Sequence, residues 1–389
     1  MEEYIPYGRQ SISEADIAAV VEVLRSDFLT QGPMVPAFEE AVASICKGKY
    51  GIASNSATSS LHLACKALGV GPGDSVWTSP ITFVASSNAA LYCGGEVDFV
   101  DVDERTYTMC PSKLADKLDK AARSGNLPKV VIPVHLAGQS CDMAAIHEVA
   151  SQYGVRIIED ASHAIGASYR AEPVGNCKYS DIAVFSFHPV KIVTTGEGGM
   201  AMTNDAALAE KMQLDRSHGI TRDPNQMETK DEGGWYYEQQ RLGFNYRMTD
   251  ISAALGLSQL SRLVEFVERR REIACIYDDA FAGLSITTPW QHPDTASAWH
   301  LYIVRIDEQR AGRIRREVFD EFREAGIGVN LHYMPVYLQP YYRELGFDRG
   351  YCPNAEAYYS EAISLPMYPA MSNRQQQQVI AAVSKAVSP

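Results

Sequence analysis

The chain has 389 residues and a formal net charge of −13 at pH 7, and 46% of its residues are apolar and 21% charged. The acidic balance disfavours nucleic-acid binding, because an acidic protein repels phosphate backbones, but it still allows a small anionic ligand at a locally positive site. No stretch reaches the roughly 20 consecutive apolar residues that span a bilayer, and the acidic beginning of the chain does not resemble a secretory signal, so a cytoplasmic protein is expected.

The first half of the chain alternates between strand-like and helix-like segments. Short apolar runs predict strands at 51–53, 75–78, 97–100, 130–134, 155–158, 182–186 and 199–203. Strands that alternate with helices indicate an α/β fold with a mostly parallel sheet covered on both faces. Ligands bind such sheets at the carboxyl ends of the strands, so we expect the chemistry just after each run.

The second half of the chain has a different organisation. Residues 223–241 are polar and contain glycine, which predicts a long surface loop of the kind that often carries function. A helical pattern then runs to about residue 282, and it is followed by an α+β unit with a strand, a helix and a closing helix at 301–304, about 312–324 and from about 373. Since one core rarely covers this length, we expect two domains, at residues 1–249 and 250–389.

A run of small hydroxyl residues at 54–60 follows the first predicted strand and precedes a helical stretch. Small residues let a phosphate approach the backbone, and the free N–H groups at a helix N-terminus hold an anion. The same pattern also fits an ordinary helix N-cap, so by itself it leaves both interpretations open.

Asp160 follows the predicted strand at 155–158. A carboxylate at the end of a buried strand is costly to bury unless it is paired. A protonated heterocycle nitrogen is a suitable partner, and a strand-end aspartate that caps the next turn is the alternative interpretation.

Lys191 lies just past the predicted strand at 182–186, beside the hydroxyls and glycines of 194–199. A partly desolvated lysine near a phosphate has a lowered pKa and can act as a Schiff-base amine, whereas a solvated loop lysine is the simpler alternative. A phosphate cradle, a strand-end acid and a loop lysine in this order are what a pyridoxal 5′-phosphate (PLP) site needs. The set therefore indicates a PLP-dependent enzyme, although each part alone has another explanation.

Several motifs resemble the DegT-type sugar aminotransferases, and the resemblance covers essentially the full length. The motifs lie at 28–33, 158–161, 185–191 with 194–199, and 243–250. The resemblance implies an aspartate-aminotransferase-like fold (fold type I), with a large, mostly parallel-sheet domain and a smaller C-terminal α+β domain. It also implies a homodimer with shared active sites. Within the family, segments 188–199 and 235–247 look most similar to the C4 aminotransferases of pseudaminic acid biosynthesis.

The resemblance further implies roles for individual residues. Lys191 would form the Schiff base with PLP and Asp160 would face the pyridine nitrogen, so these two are the expected catalytic residues. Further cofactor contacts are expected from six residues. Ala57, Thr58 and Ser186 would hold the phosphate, and Asn245 would reach it from the second subunit. Phe83 would stack on the ring, and His163 would lie near the ring hydroxyl. Contacts with the sugar nucleotide are expected from Tyr7, Leu29, Thr30, Gln31, Gly32, Ser56, Asn245, His332 and Tyr333.

The expected reaction moves an amino group from L-glutamate to C4 of a UDP-linked 2-acetamido-2,6-dideoxy-4-keto-hexose. Pyridoxamine phosphate is the intermediate form of the cofactor, and Lys191 moves the proton as general base and then as general acid. The nearest alternative is the same reaction on another dTDP- or UDP-linked keto-sugar.

Other classes of protein fit the sequence less well. A PLP-dependent sugar dehydratase is disfavoured because related dehydratases carry histidine where this chain has Lys191. A non-catalytic PLP-binding regulatory protein would need an appended effector or DNA-binding module. A nicotinamide site is disfavoured because the glycines at 69–73 follow a helix rather than a strand. No metal is expected, since the eight cysteines are scattered without close pairs.

Overall fold

Helices and short strands alternate along the chain, which the computed structural model describes at residues 4–229 and 232–387. Within these ranges the helices are α1 (Glu14–Leu24), α2 (Met34–Cys46), α3 (Ala57–Ala67), α4 (Ala85–Tyr92), α5 (Pro111–Ser124), α6 (Met143–Gln152), α7 (Ala206–Asp215), α8 (Asp250–Leu260), α9 (Leu263–Phe281), α10 (Glu308–Ala311), α11 (Arg315–Glu324), α12 (Pro340–Glu344), α13 (Pro353–Glu361) and α14 (Asn373–Val387). None of these described helices has both the length and the apolar composition of a membrane span.

The strands in the same ranges are short. They are β1 (Tyr50–Ser54), β2 (Ser75–Thr78), β3 (Glu96–Phe99), β4 (Val130–Ile132), β5 (Arg156–Asp160), β6 (Ser168–Tyr169), β7 (Glu172–Pro173), β8 (Ile182–Ser186), β9 (Gly199–Thr203), β10 (Ile220–Thr221), β11 (Glu238–Gln239), β12 (Ile286–Thr287), β13 (Thr295–Ala296), β14 (Tyr302–Ile306) and β15 (Ala362–Leu365). Every strand that the sequence predicted is present, with ends that differ by at most two residues.

The largest sheet has seven strands in the order β1-β9-β8-β5-β4-β2-β3. Strand β9 is antiparallel to both of its neighbours, and all other adjacent pairs in this sheet are parallel. The mostly parallel sheet that the sequence predicted is therefore confirmed. The order places β5 beside β8, so the segments that follow these two strands meet at one edge of the sheet, where ligands bind in folds of this kind.

Side chains alternate between the two faces of the large sheet. Phe185 of β8 packs into one core with Phe38 of α2 and Phe266 of α9. Its neighbour Val184 points to the opposite face and packs with Leu61 of α3. This period of two is the geometry of a strand, and it explains why helices cover both faces of the sheet.

Helix α5 shows how the sequence sets the ends and the buried face of a covering helix. Pro111 occupies its first turn, where a missing N–H costs nothing, and Gly125 ends it in the left-handed conformation with φ of 73°. Leu114, Leu118 and Ala121 are buried at helical spacing. These three residues form the apolar stripe that holds the helix on the sheet.

The C-terminal α+β unit is built on an antiparallel sheet in the order β12-β14-β15. Its core combines Val304 of β14 with Phe322 of α11 and Val383 of α14. The N-terminal segment also reaches this unit, where Ile5 pairs with Ile327. The beginning of the chain is therefore held close to the C-terminal part.

The helical pattern beyond residue 249 is interrupted after Leu260, and α9 begins at Leu263. Between them, Arg262 donates from Nη2 to the Asp16 carboxylate over 2.5 Å. The first part of α9 packs with the large sheet, whereas Tyr277 near its end packs with the small sheet. Because this helix contributes to both cores, the domain boundary expected between residues 249 and 250 stays a prediction.

Candidate active site

The carboxyl ends of β1, β5 and β8 open into one cavity of about 750 Å³. Asp160 ends β5, Lys191 follows β8, and Thr58 lies in the first turn of the helix after β1. The sequence-predicted site residues that line this cavity are Tyr7, Ser56, Ala57, Thr58, Phe83, Asp160, His163, Ser186, Lys191, His332 and Tyr333. The fold therefore brings the proposed phosphate cradle, acid and amine to one place.

Asp160 is buried, with only 5% of its surface exposed, and both of its carboxylate oxygens are hydrogen-bonded. The Ser86 hydroxyl donates to Oδ2 over 2.6 Å, and the Ser162 backbone N–H donates to Oδ1 over 3.1 Å. The Thr82 hydroxyl lies 2.7 Å from the Ser86 hydroxyl and continues this chain of contacts. The carboxylate is thus held in one orientation while it faces the cavity.

The preceding acid, Glu159, points to the other face of β5 and does not line the cavity. Its Oε2 accepts a hydrogen bond from His135 Nε2 over 2.7 Å, and its Oε1 accepts one from the Ser180 hydroxyl over 2.5 Å. Successive residues of a strand face opposite sides of the sheet. This alternation selects Asp160, rather than Glu159, as the acid that can pair with a ligand.

Lys191 lies in the loop between β8 and β9. Desolvation lowers the pKa of its ammonium group to about 8, although the nearby negative charge of Asp160 opposes this shift. The loop is closed on itself, since the Thr194 hydroxyl donates to the Phe187 carbonyl over 3.0 Å and the Phe187 N–H donates to the Gly198 carbonyl over 2.9 Å. The loop therefore fixes the position of the Lys191 amine, and the lowered pKa makes its neutral form accessible.

The N-terminus of α3 forms the other end of the cavity. Ser56 is the N-cap, and its hydroxyl accepts from the Ser59 N–H over 3.1 Å. The N–H groups of Ala57 and Thr58 lie in the first turn, where the helix itself provides no acceptor. The two interpretations of the hydroxyl run are thus compatible, because the N-cap is present and an anion site remains beside it.

Gly199 lets this helix end approach the sheet. A Cβ at this position would lie 2.5 Å from the backbone nitrogen of Ala57 and 2.5 Å from the carbonyl of Ser56. Real Cβ atoms do not approach other atoms so closely. A glycine at the beginning of β9 is therefore required for the position of the cradle.

His163 has protein partners at both ring nitrogens. The Ala137 N–H lies 3.3 Å from Nδ1, and the Tyr333 hydroxyl lies 3.2 Å from Nε2. His300 packs beside it, with a distance of 4.4 Å between the ring centroids. Burial lowers the pKa of both histidines well below the usual range, so both rings are neutral.

Tyr7 and His332 form a neighbouring part of the cavity wall. Their ring centroids are 5.4 Å apart, and Nδ1 of His332 lies 2.7 Å from the Ser364 hydroxyl. Burial lowers the pKa of His332 to about 3, and it raises the pKa of Tyr7. This wall therefore presents neutral polar groups rather than charges.

Five of the predicted residues do not line the cavity of this chain. Thr30 pairs with Thr249, and the Gly32 N–H donates to Oδ2 of Asp250 over 2.8 Å. Asn245 pairs with Ser217. The residues outside the cavity are Leu29, Thr30, Gln31, Gly32 and Asn245. Their roles, including the reach of Asn245 into a second subunit, stay predictions.

The segment predicted as a long loop, residues 223–241, begins after β10 and contains a short strand that the sequence did not predict, β11, which pairs with β10. Arg241 anchors its end through an ion pair with the buried carboxylate of Asp215, with Nε 2.7 Å from Oδ1. Trp235 in the loop is 77% exposed. That this loop carries a function stays a prediction.

Sequence reasoning missed several polar residues of the site, among them Ser86, which donates to Asp160, and His300 and Asn330, which line the cavity. Ser86 follows Thr82 by four residues, but Thr82 precedes α4, so no helical spacing marked the contact between these two hydroxyls. His300 precedes a predicted strand and Asn330 lies in a connecting segment, and neither position carries a local pattern. Only the packing of the C-terminal unit brings them to the cavity.

The residues present fit PLP. The first turn of α3 and Ser186 offer donors for a phosphate, and Asp160 offers a fixed carboxylate for a protonated ring nitrogen. Lys191 offers an amine with a pKa of about 8. The Phe83 side chain, 60% exposed, extends into the cavity where it can cover a ring. In the described residues, no cluster of three His, Cys, Asp or Glu side chains could hold a metal ion.

Comparisons with known proteins give one consistent result. The model of the DegT/DnrJ/EryC1/StrS aminotransferase family matches residues 10–384. The spore coat polysaccharide biosynthesis protein SpsC of Bacillus subtilis is 40% identical over 387 residues, which cover 99% of this chain and 97% of SpsC.

Solved structures give the same result. The putative sugar aminotransferase Spr1654 of Streptococcus pneumoniae, in its PMP form, has a TM-score of 0.90 and 31% identity, over 98% of this chain and 97% of that one. Its PLP form has a TM-score of 0.89. Helicobacter pylori PseC, an aminotransferase involved in the biosynthesis of pseudoaminic acid, has a TM-score of 0.89 and 29% identity, over 99% of both chains.

Proposed function

Because the chain belongs to the DegT/DnrJ/EryC1/StrS aminotransferase family, we propose that it transfers the amino group of L-glutamate to C4 of a UDP-linked 2-acetamido-2,6-dideoxy-4-keto-hexose. The chain is a PLP-dependent sugar aminotransferase with the aspartate-aminotransferase-like fold.

Transamination is supported by the relative positions of Asp160 and Lys191. Asp160 ends β5 and Lys191 follows β8, these two strands are neighbours in the sheet, and both side chains line the same cavity. A sugar dehydratase of this kind would have histidine in place of Lys191. The lysine supports transamination, because an amine at this place can move a proton at the α-carbon of an amino acid and at C4 of a sugar.

The other residues have supporting roles in this proposal. PLP, when bound, supplies the electron sink that makes loss of the α-proton feasible. Asp160 keeps the ring nitrogen protonated, since its carboxylate is fixed by Ser86 and Ser162. The first turn of α3 holds the phosphate. Lys191 removes a proton as a neutral amine and returns it as an ammonium group, which its pKa of about 8 allows near neutral pH.

The identity of the sugar rests on similarity. The motifs at 188–199 and 235–247 resemble the C4 aminotransferases of pseudaminic acid biosynthesis, and the fold matches PseC with a TM-score of 0.89.

A specific observation also favours a second candidate. The chain is 40% identical to SpsC but 29% identical to PseC, which supports a different dTDP- or UDP-linked keto-sugar of a surface polysaccharide.

A homodimer with shared sites is part of the proposal. Asn245 lies outside the cavity of its own chain, on a segment held by backbone hydrogen bonds from His218 to Phe244 and from Tyr246 to Arg216. Leu242, three residues before Asn245, is 73% exposed. A segment that is held by backbone hydrogen bonds and carries an exposed leucine suits a contact with a second copy. A cytoplasmic location stays an expectation from the sequence.

The experiment that tests the substrate compares two sugars under the same conditions. The enzyme is incubated with L-glutamate and either a UDP-linked 4-keto-6-deoxy-N-acetylhexosamine or a dTDP-linked 4-keto-6-deoxyglucose, and 2-oxoglutarate and the aminated sugar are quantified by mass spectrometry. We expect amination of the UDP-linked sugar with a kcat/KM at least about tenfold higher, a difference of roughly 1.4 kcal/mol in transition-state binding. Preference for the dTDP-linked sugar would support the second candidate and contradict the first.

A further inference from the structure

The hydrogen bonds around His163 determine which of its ring nitrogens carries the proton. The Ala137 backbone N–H points at Nδ1 from 3.3 Å. A backbone N–H only donates, so Nδ1 must accept and carries no proton. The ring is neutral, because burial and the nearby charge of Lys191 keep its pKa well below the usual range. Its single proton is therefore on Nε2.

This tautomer fixes the role of the Tyr333 hydroxyl. The hydroxyl oxygen lies 3.2 Å from Nε2 of His163 and accepts the proton of that nitrogen. The ring of Tyr333 is also stacked on His163, with the two planes at 21°. Since the lone pair of the phenol oxygen is engaged by His163, the O–H bond points elsewhere.

No acceptor for the Tyr333 proton is found in the part of the chain that the structure describes. Burial raises the pKa of this hydroxyl, and the negative charge of Asp160 raises it further, so the proton is retained. Tyr333 lines the cavity, and its ring lies 6.4 Å from that of Phe83. A buried donor without a partner costs free energy unless a ligand supplies the acceptor.

We propose that Tyr333 donates a hydrogen bond to an anionic oxygen bound in the cavity, and that His163 is a positioning residue which acts through Tyr333. Two oxygens share this chemistry, the ring oxygen of PLP and a carboxylate of the amino donor. The inference rests on the proposed function, because that function supplies both oxygens. It gives His163 a different role from direct contact with the cofactor, since both of its nitrogens are engaged by the protein.

The first experiment identifies the oxygen with Tyr333→Phe in the holoenzyme. If the acceptor is the ring oxygen, loss of the donor makes that oxygen more basic, and the pH midpoint of the visible cofactor band rises by about one unit or more. If the acceptor is the donor carboxylate, the midpoint is unchanged and the KM for L-glutamate rises about tenfold, with kcat nearly constant. A variant that matches the wild type in both measurements overturns the proposal.

The second experiment tests whether His163 acts through Tyr333. His163→Gln should keep the wild-type pH midpoint and the wild-type KM for L-glutamate. The glutamine side-chain amide can accept from the Ala137 N–H with its oxygen and donate to Tyr333 with its nitrogen. His163→Leu should give part of the Tyr333→Phe effect in the wild-type background and no added effect in the Tyr333→Phe background. An equal effect of His163→Leu in both backgrounds would show independent roles and would refute the relay.

Failure of this inference is distinguishable from failure of the proposed function. The wild-type enzyme is measured alongside, with PLP alone and then with L-glutamate. If the wild type shows no visible band, or a band that glutamate leaves unchanged, the proposed function fails. If the wild type responds to both and the Tyr333 variant cannot be told from it, only the role of Tyr333 is overturned.

Discussion

Lys191 is an amine whose protonation is set by its surroundings. Burial alone would favour the neutral form strongly, and the Asp160 charge moderates the shift, so the pKa lies at about 8 rather than at the ordinary 10.5. A group with such a pKa holds a proton at neutral pH and can release it at a small cost in free energy. This balance suits a residue that must act first as a base and then as an acid.

The pKa of Lys191 leads to a prediction about pH. Only the neutral amine attacks the aldehyde of PLP, and the neutral fraction rises as the pH rises towards the pKa. The rate at which apoprotein acquires the visible band should therefore increase about tenfold per pH unit below about 8 and level off above it. Stopped-flow absorbance with excess PLP measures this rate. A midpoint near 10.5 would show that the lysine is solvated.

The hydrogen bond from Ser86 to Asp160 leads to a second prediction about a single residue. It donates to Asp160 over 2.6 Å, whereas the next residue, Ser87, is equally buried but bonds to Tyr342. Ser86→Ala frees the carboxylate to rotate, and loss of a hydrogen bond to a charged group costs roughly 1.5–3 kcal/mol. We expect kcat to fall about tenfold in Ser86→Ala and to change less than about twofold in Ser87→Ala. Equal rates in the two variants would contradict the role of Ser86.

The site was only partly predictable from individual residues. Asp160 and Lys191 were found because they follow apolar runs, and parallel strands bring their carboxyl ends to one edge of a sheet. His300 could not be found in this way, because the packing of the C-terminal unit, rather than a local pattern, places it 4.4 Å from His163. The partners of His163 were hidden because they are distant in sequence, Ala137 by 26 residues and Tyr333 by 170.

At the scale of elements, the strands were predicted most closely. The runs at 75–78, 182–186 and 199–203 coincide with β2, β8 and β9, because buried strands are short apolar segments with sharp polar ends. The break between α8 and α9 was not predicted. Neither glycine nor proline marks it, and Arg262 is drawn instead to Asp16 by a contact distant in sequence.

The contact between β9 and α3 gives a prediction of its own. In Gly199→Ala, the new Cβ would overlap the backbone of Ser56 and Ala57 at 2.5 Å, so the first turn of α3 must move away. Overpacking of this kind costs about 1–3 kcal/mol. We expect PLP to bind at least about tenfold more weakly, as measured by absorbance titration of the apoprotein.

Gly71 provides the matched control for this substitution. A Cβ added at Gly71 would have no other atom within 4 Å, so Gly71→Ala introduces no overlap. The PLP affinity of this variant should equal that of the wild type. If Gly199→Ala also binds PLP with wild-type affinity, the first turn of α3 does not hold the phosphate.

At the scale of the whole molecule, the proposed dimer determines how a complete site is assembled. Asn245 does not line the cavity of its own chain, and we propose that it completes the cavity of a second copy. Mixing two inactive variants tests this arrangement. A heterodimer of Lys191→Ala and Asn245→Ala chains has one site with both residues intact only if Asn245 acts across the interface.

Random pairing of the two variants should restore about a quarter of the wild-type activity. The variants are co-refolded in equal amounts, and each alone is assayed as the control. If Asn245 served its own chain, every site with an intact lysine would carry the alanine at 245. The mixture would then stay as inactive as its components, and the shared site would be excluded.

The identity of the lysine that binds the cofactor is the most direct test of the proposed role of Lys191. The holoenzyme is reduced with borohydride, digested, and mapped by mass spectrometry, in parallel with a sample first treated with L-glutamate. We expect the cofactor on the peptide that contains Lys191, and we expect the label to be lost from that peptide after glutamate treatment. A label on another lysine, or none on any peptide, would contradict the assignment of Lys191 and with it the proposed chemistry of the site.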